Sequence, residues 1–180
     1  MIDIIANRYA EALFQLSEDD NITKEIYDEL HSVVDIVKSN KDLDNVLKSP
    51  LVAKAEKVQL IETLFNNKIN NNLKNFLKIL VEKGRISSLK SIELTFKQLL
   101  NDRDNIIEGT VISAIPLTGE KVKELEEKLS KKYNKNVTLE NKVDKTILGG
   151  VLVRLGNTQI DGSVKTRLNN IKDQLSQVIS

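Results

Sequence analysis

The stretch Ile106-Ile107-Glu108-Gly109-Thr110-Val111-Ile112-Ser113-Ala114-Ile115 changes the rhythm of the chain. Ile107, Gly109, Val111 and Ser113 fall on one side. Ile106, Thr110, Ile112 and Ala114 fall on the other, where the acidic Glu108 interrupts them. A period of two predicts a strand with one markedly apolar face, not a helix. Pro116 ends it. Everything before Asp104 has a different period. The stretch therefore separates a helical part, residues 1–104, from a mixed part, residues 105–180. The polar run 101–105 joins them without a long linker.

Toward the N-terminus the apolar residues recur at helical spacing. Ile5, Tyr9, Ala12, Leu13 and Leu16 mark a first helix over roughly 3–18. Thr23 is positioned to cap a second, with Ile26, Leu30, Val33, Val34 and Val37 on its face. A short helix at about 41–47 stops before Pro50, and another spans about 54–66. Leu73, Phe76, Leu77, Leu80 and Val81 predict a fifth over 70–83, ended by Gly84. Leu89, Ile92, Phe96, Leu99 and Leu100 predict the last, started by Ser87 or Ser88. Six amphipathic helices with short connections make a bundle.

Toward the C-terminus, Thr118 precedes a helix over about 119–133 with Val122, Leu125, Leu129 and Tyr133 as its stripe. Strand patterns follow at 136–143, 151–155 and 158–161. Gly149-Gly150 introduces the second of these, and Gly156-Asn157 makes a tight turn before the third. Ser163 caps a helix to about 178. The expected fold is α+β overall. An N-terminal six-helix bundle precedes a small α/β domain with a mixed or antiparallel sheet and two helices.

Composition narrows the function. The chain has 180 residues, no cysteine and a single histidine. Disulfides, thiolate nucleophiles and cysteine or histidine zinc sites are thereby excluded. Residues 1–104 carry 15 basic and 17 acidic side chains, or −2; residues 105–180 carry 12 and 9, or +3. Neither part forms the clustered basic stripe with aromatics that nucleic-acid binding needs. The N-terminus is not a secretory signal, and no run of 18 apolar residues occurs. The expectation is a soluble, cytoplasmic chain that reaches a membrane through a partner. Two small domains have limited cores, which implies modest stability or dependence on that partner.

The candidate sites for chemistry are thin. Gly149-Gly150 lacks the context of a nucleotide loop and is followed by a strand, so it reads as a bend or bulge. Asp144 and Asp161 could in principle form an acid–base or cation-binding pair, but no third group accompanies them. Asp161-Gly162-Ser163 reads as a turn into a helix cap, and Ser163 is not in a hydrolase setting. His31 reads as a surface or partly buried residue. The Asn21 and Asn136 glycosylation-like triplets are chance matches without a secretory signal.

The helices say more. The first has more apolar residues than one narrow line: Ile2, Ile4, Ile5, Tyr9, Ala12, Leu13, Phe14 and Leu16. Either it packs on several neighbours or it leaves a groove for another apolar helix. Val164, Leu168, Ile171, Leu175 and Val178 are spaced 4, 3, 4 and 3, which suits packing on the sheet, docking of a partner helix, or both.

Several blocks in order carry a family resemblance. They are Arg8-Tyr9-Ala10-Glu11-Ala12-Leu13-Phe14; the residues from Phe76 to Arg85 ending Lys83-Gly84-Arg85; and Ala114-Ile115-Pro116-Leu117-Thr118. The most specific are Val143 to Val153, with Gly149-Gly150 inside, and Ile160-Asp161-Gly162-Ser163-Val164 followed by Arg167-Leu168. The chain resembles the delta subunits of F-type ATP synthases, whose mitochondrial relative confers oligomycin sensitivity. The resemblance implies a non-catalytic stator connector without cofactors, a monomer within a large hetero-oligomer. It also implies a peripheral place at the cytoplasmic face of the bacterial cell membrane.

The resemblance also implies two attachment surfaces. The bundle would bind the N-terminal helices of the F1 alpha subunits through its first and fifth helices, at Tyr9, Ala12, Leu13, Leu77 and Leu80. The C-terminal domain would bind the b-subunit stalk of Fo through Val151, Ile160, Val164, Leu168, Ile171 and Leu175. Without the resemblance, a generic helical adaptor of another complex would fit the residue pattern equally.

Overall fold

The computed structural model describes residues 4–66, 68–156 and 158–169. The chain divides into two compact units, Met1–Leu100 and Asn101–Ser180. In the first, α1 (Ile4–Asp19), α2 (Thr23–Ser39), α3 (Lys41–Lys48), α4 (Lys54–Phe65), α5 (Asn71–Glu82) and α6 (Leu89–Arg103) follow the apolar periodicity closely. A 3-10 turn over Ile86–Ser88 leads into α6. Ala10, Ile26, Leu30, Leu73, Leu80, Ile92 and Phe96 are completely buried at the centre of the bundle. Phe96 meets Phe14 edge-on at 5.4 Å and stacks on Tyr27 at 6.3 Å, so one ring ties α6 to α1 and α2.

The helix ends show how the bundle satisfies its orphan backbone groups. Gly84, at φ +66°, closes α5: its N–H donates to the Val81 carbonyl, and Arg85 N–H donates to that of Leu80. Asn21 and Asn105 turn the chain in the left-handed region after α1 and α6, as Asn134 does after α7 (Gly119–Tyr133) in the second unit. Lysines of α4 reach other helices' carbonyl ends. Lys57 Nζ donates to Ser49 O and Lys54 Nζ to Glu82 O, each at 2.6 Å. A cation at a helix C-terminus is favoured by the peptide dipoles. At the opposite end of α5, Glu29 Oε2 accepts the Asn70 N–H at 2.7 Å.

Thr23 departs from expectation. It is the first helical residue of α2, not its cap; the cap position is Ile22, without a side-chain bond. The Thr23 hydroxyl is buried and finds no partner among the described residues.

A buried carboxylate sits in the same unit. Glu93 on α6 is only 5% exposed, and its Oε1 lies 2.7 Å from His31 Nδ1 on α2. His31 Nε2 lies 3.4 Å from Asp35, one turn along. The imidazole stacks on Tyr27 at 6.1 Å. His31 is thus a surface residue, as read from the sequence, whose inner nitrogen supplies the polar contact of an interior acid.

In the second unit, β1 (Ile106–Ser113), α7, β2 (Asn136–Val143), β3 (Val151–Leu155) and β4 (Thr158–Asp161) form a sheet of order β2-β1-β3-β4. β1 and β2 are parallel, joined through α7; β1–β3 and β3–β4 are antiparallel. The sheet is therefore mixed. Its core face carries Ile107, Val111, Val137, Leu139, Val153 and Leu155, against Val122, Leu125 and Leu129 of α7. This is the β1 side that holds the small residues Gly109 and Ser113. A Cβ at Gly109 would overlap Leu155 Cδ2 and lie 2.7 Å from the Arg154 carbonyl oxygen. The bare backbone there leaves room for the leucines of both neighbouring strands.

The two glycine-bearing motifs come together. Gly150, at φ +82°, lies against the Asp161-Gly162-Ser163 turn, where a Cβ would overlap the Gly162 carbonyl oxygen and lie 2.9 Å from Ser163 Cα. Gly162 N–H donates to Val151 O at 2.9 Å, and Val164 N–H donates to Gly149 O at 3.0 Å. Ser163 Oγ then accepts the Thr166 N–H at 3.3 Å, which caps the helical residues 164–169 as expected.

Two substitutions test these packing arguments. Gly150→Ala should destabilise the second unit by about 3 kcal/mol or more, through strain and backbone overlap. Gly84→Ala meets nothing within 4 Å, and should cost only the left-handed penalty of roughly 1–2 kcal/mol in the bundle. Amide hydrogen exchange across β1 and β3, compared with α5 and α6, separates the two effects. His31→Ala should lower bundle stability by about 1–3 kcal/mol, because the buried Glu93 side chain loses its partner. Pairing it with Glu93→Gln should recover part of the loss in urea titrations.

Candidate functional site: two apolar surfaces

The acids singled out by the sequence are engaged in local turns. Asp144 Oδ1 accepts the Thr146 N–H at 2.9 Å and its hydroxyl at 2.7 Å. Asp161 accepts the Ser163 N–H at 2.8 Å and the Thr166 hydroxyl at 2.9 Å. These donors hold both carboxyls below the ordinary aspartate range, Asp144 through the Thr146 side chain first and Asp161 through the Ser163 N–H first. Carboxylates so stabilised are poor proton donors near neutrality. Among the described residues, no three His, Cys, Asp or Glu side chains gather as a metal site would need. Among them also, no helix is long and apolar enough to cross a membrane.

What stands out is apolar surface. On α1 two parallel lines run along the helix. Ala6, Ala10, Leu13, Phe14 and Ser17 are buried. Ile5 and Tyr9 are half-buried and Ala12 and Leu16 exposed, at spacings of 4, 3 and 4. This second line is the surplus that the sequence showed but could not place. Tyr9 meets Phe76 of α5 edge-on at 6.2 Å, which ties the line to α5. Ile79, one turn beyond Phe76, is 45% exposed and Leu16 43%.

Of the candidate head-facing residues, Tyr9 and Ala12 lie on this surface. Leu13, Leu77 and Leu80 do not: they are 2%, 1% and 0% exposed, within the bundle core. The reason is geometric. Residues one position apart on a helix are turned by about 100°, so Leu13 lies beside Ala12 in sequence yet faces inward. Leu16, part of the apolar surplus of the first helix, and Ile79 occupy the outward positions; neither is among the head-facing candidates, although the helical spacing from Tyr9 and Phe76 points to them.

The second unit has its own apolar end. Val151 and Ile160 are half-buried and pack against its core. Val164 and Leu168 are 42% and 58% exposed. Ile171 and Leu175 lie outside the described residues. Ile115, after β1, and Leu148, just before Gly149-Gly150, are 70% and 81% exposed. Ser113 pairs with both Val143 and Val151, so the loops after β1 and β2 leave from the same end of the sheet. Val164 is tied to the loop that carries Leu148 by its backbone bond to Gly149.

Comparison with known proteins gives these surfaces their setting. The sequence model of the family "ATP synthase delta (OSCP) subunit" matches residues 5–175. ATP synthase subunit delta of Clostridioides difficile (strain 630) is 61% identical, covering all of both chains. That of Alkaliphilus metalliredigens (strain QYMF) is 39% identical over 99% of each. A chain of the Toxoplasma gondii mitochondrial ATP synthase hexamer superposes with a TM-score of 0.70 at 24% identity, over 96% of this chain and 98% of that one. Its likeness concerns the fold. The chain belongs to the ATP synthase delta (OSCP) family, the non-catalytic peripheral-stalk subunits that link F1 to Fo.

Proposed function

We propose that the two units divide the linking task, residues 1–104 binding the catalytic head and residues 105–180 the stalk. The N-terminal helices of the alpha subunits would lie along α1 and α5, over Ile5, Tyr9, Ala12, Leu16 and Ile79. The end of the b-subunit stalk would engage Ile115, Leu148, Val164 and Leu168, with Ile171 and Leu175 continuing the stripe. The complex would be peripheral at the cytoplasmic face of a bacterial membrane, with one copy of this chain in it.

The observation that carries the reading is the second apolar line of α1, from Ile5 to Leu16, beside a core line already filled. A helix at the edge of a six-helix bundle needs one buried stripe; the other suits an amphipathic partner helix. Such a joint also fits the mechanics. Rotor torque acts back on the head, and a stator resists it through two non-reactive contacts.

Substitution separates docking from folding. Leu16→Asp and Ile79→Asp should each weaken binding of an alpha N-terminal peptide about tenfold or more while leaving the thermal midpoint nearly unchanged. Leu77→Ala should do the reverse: about 2–5 kcal/mol less stability from the cavity, with peptide affinity kept in the folded fraction. Calorimetric titration with parallel thermal melts reads both. Unchanged affinity in the two aspartate variants sinks the placement on α1 and α5.

A further inference from the structure

One edge of the sheet is partly covered by side chains of the crossover helix. Among the described residues, β2 is an edge strand paired with β1 alone. Asn136 N–H donates to Asn105 O at 2.8 Å and Asp144 N–H to Ser113 O at 2.9 Å. Even-numbered amides of β2 therefore face β1 and odd-numbered ones face outward. Two of the outward amides are taken by side chains of α7. Val137 N–H donates to Ser130 Oγ at 2.9 Å, and Leu139 N–H donates to Glu126 Oε1 at 2.8 Å.

The match is a matter of register. Ser130 and Glu126 are four residues apart on a helix, a rise of about 6 Å. Val137 and Leu139 are two apart on a strand, about 6.6 Å. The partners run in opposite order, as they must when a crossover helix returns antiparallel to its strands. The next position in the helical series, Val122, has no acceptor, so the arrangement covers two amides. Nearby, Lys142 and Glu140 pair at 3.2 Å and put charge on the remaining stretch of strand.

We propose that Ser130 and Glu126 are gatekeepers that keep the β2 edge from accepting another strand, above all the same edge of a second copy of this chain. An unprotected edge presents a row of unmatched donors and acceptors. Two identical edges can pair about a twofold axis, each satisfying the other. The side chains occupy the donors first. The protein remains single while it waits for, or exchanges between, its larger partners. Removing the acceptors converts β2 into a self-complementary surface.

The test uses the full chain. In the wild type the Val137 and Leu139 amides should exchange with solvent more slowly than amides of exposed loops. Glu126→Ala should speed Leu139 exchange about threefold to tenfold and leave the buried Val111 amide unchanged. Glu126→Gln keeps an oxygen acceptor and should restore protection. Glu126→Ala combined with Ser130→Ala should show concentration-dependent association by sedimentation, with Glu126→Gln alone remaining monomeric. Leu139 exchange that is equal in the Ala and Gln variants overturns the proposal, as does a folded double variant that stays monomeric at high concentration. If the double variant does not fold, the comparison of the two single variants decides.

Discussion

The second unit depends on one backbone-to-backbone approach, that of Gly150 to Gly162 and Ser163. A residue with a side chain cannot stand at Gly150 without displacing main-chain atoms. Because it is bare, the chain entering β3 and the chain leaving β4 bond directly, from Gly162 to Val151 and from Val164 to Gly149. That junction sets the origin of the helical residues that follow, and it ties Val164 to the residue after Leu148. Two motifs separated in sequence are thus a single local structure. Asp144 and Asp161 serve the turns around it, which explains acids in the region without any reaction for them to perform.

The bundle relies on a different constraint. Its core is mainly aliphatic with a few phenylalanines, and Phe96 joins α6 to α1 and α2. The helix ends then matter, since each leaves unmatched peptide groups. Long side chains from neighbouring helices reach them: Lys54 and Lys57 at carbonyl ends, Glu29 at an amide end. Charge placed in this way agrees with the peptide dipoles. The same residues that look like solvated surface in the sequence fix the relative placement of helices within the bundle.

Much of this was legible from residue order. The period-two stretch at Ile106, the helical stripes and the Gly84 and Ser163 signals located the elements closely. The stalk and head assignment came from the ordered family-like blocks and not from periodicity. What escaped the sequence was orientation. Ala12 and Leu13 are adjacent and both apolar, and only packing decides which looks inward. On β1 the core face proved to be the one with Gly109 and Ser113, because the leucines of β2 and β3 fill the space that Gly109 leaves. Thr23 has the chemistry of a cap but sits one residue too late. Glu126 and Ser130 look like ordinary solvated positions of α7 until β2 is laid beside them.

The placement of β1 has a mechanical consequence. It is the first strand after α6 and one of the two inner strands of the sheet, paired over eight residues with β2 and five with β3. The chain leaving α6 enters the second unit at the start of β1, and the case to consider is a pull directed along the axis of that strand. Its hydrogen bonds lie across that axis, so they are loaded in shear and share the force, instead of opening one after another like a zipper. Peeling requires force at a sheet margin, and β1 is not at one. Such tension is met by the strand with the longest pairing in the sheet.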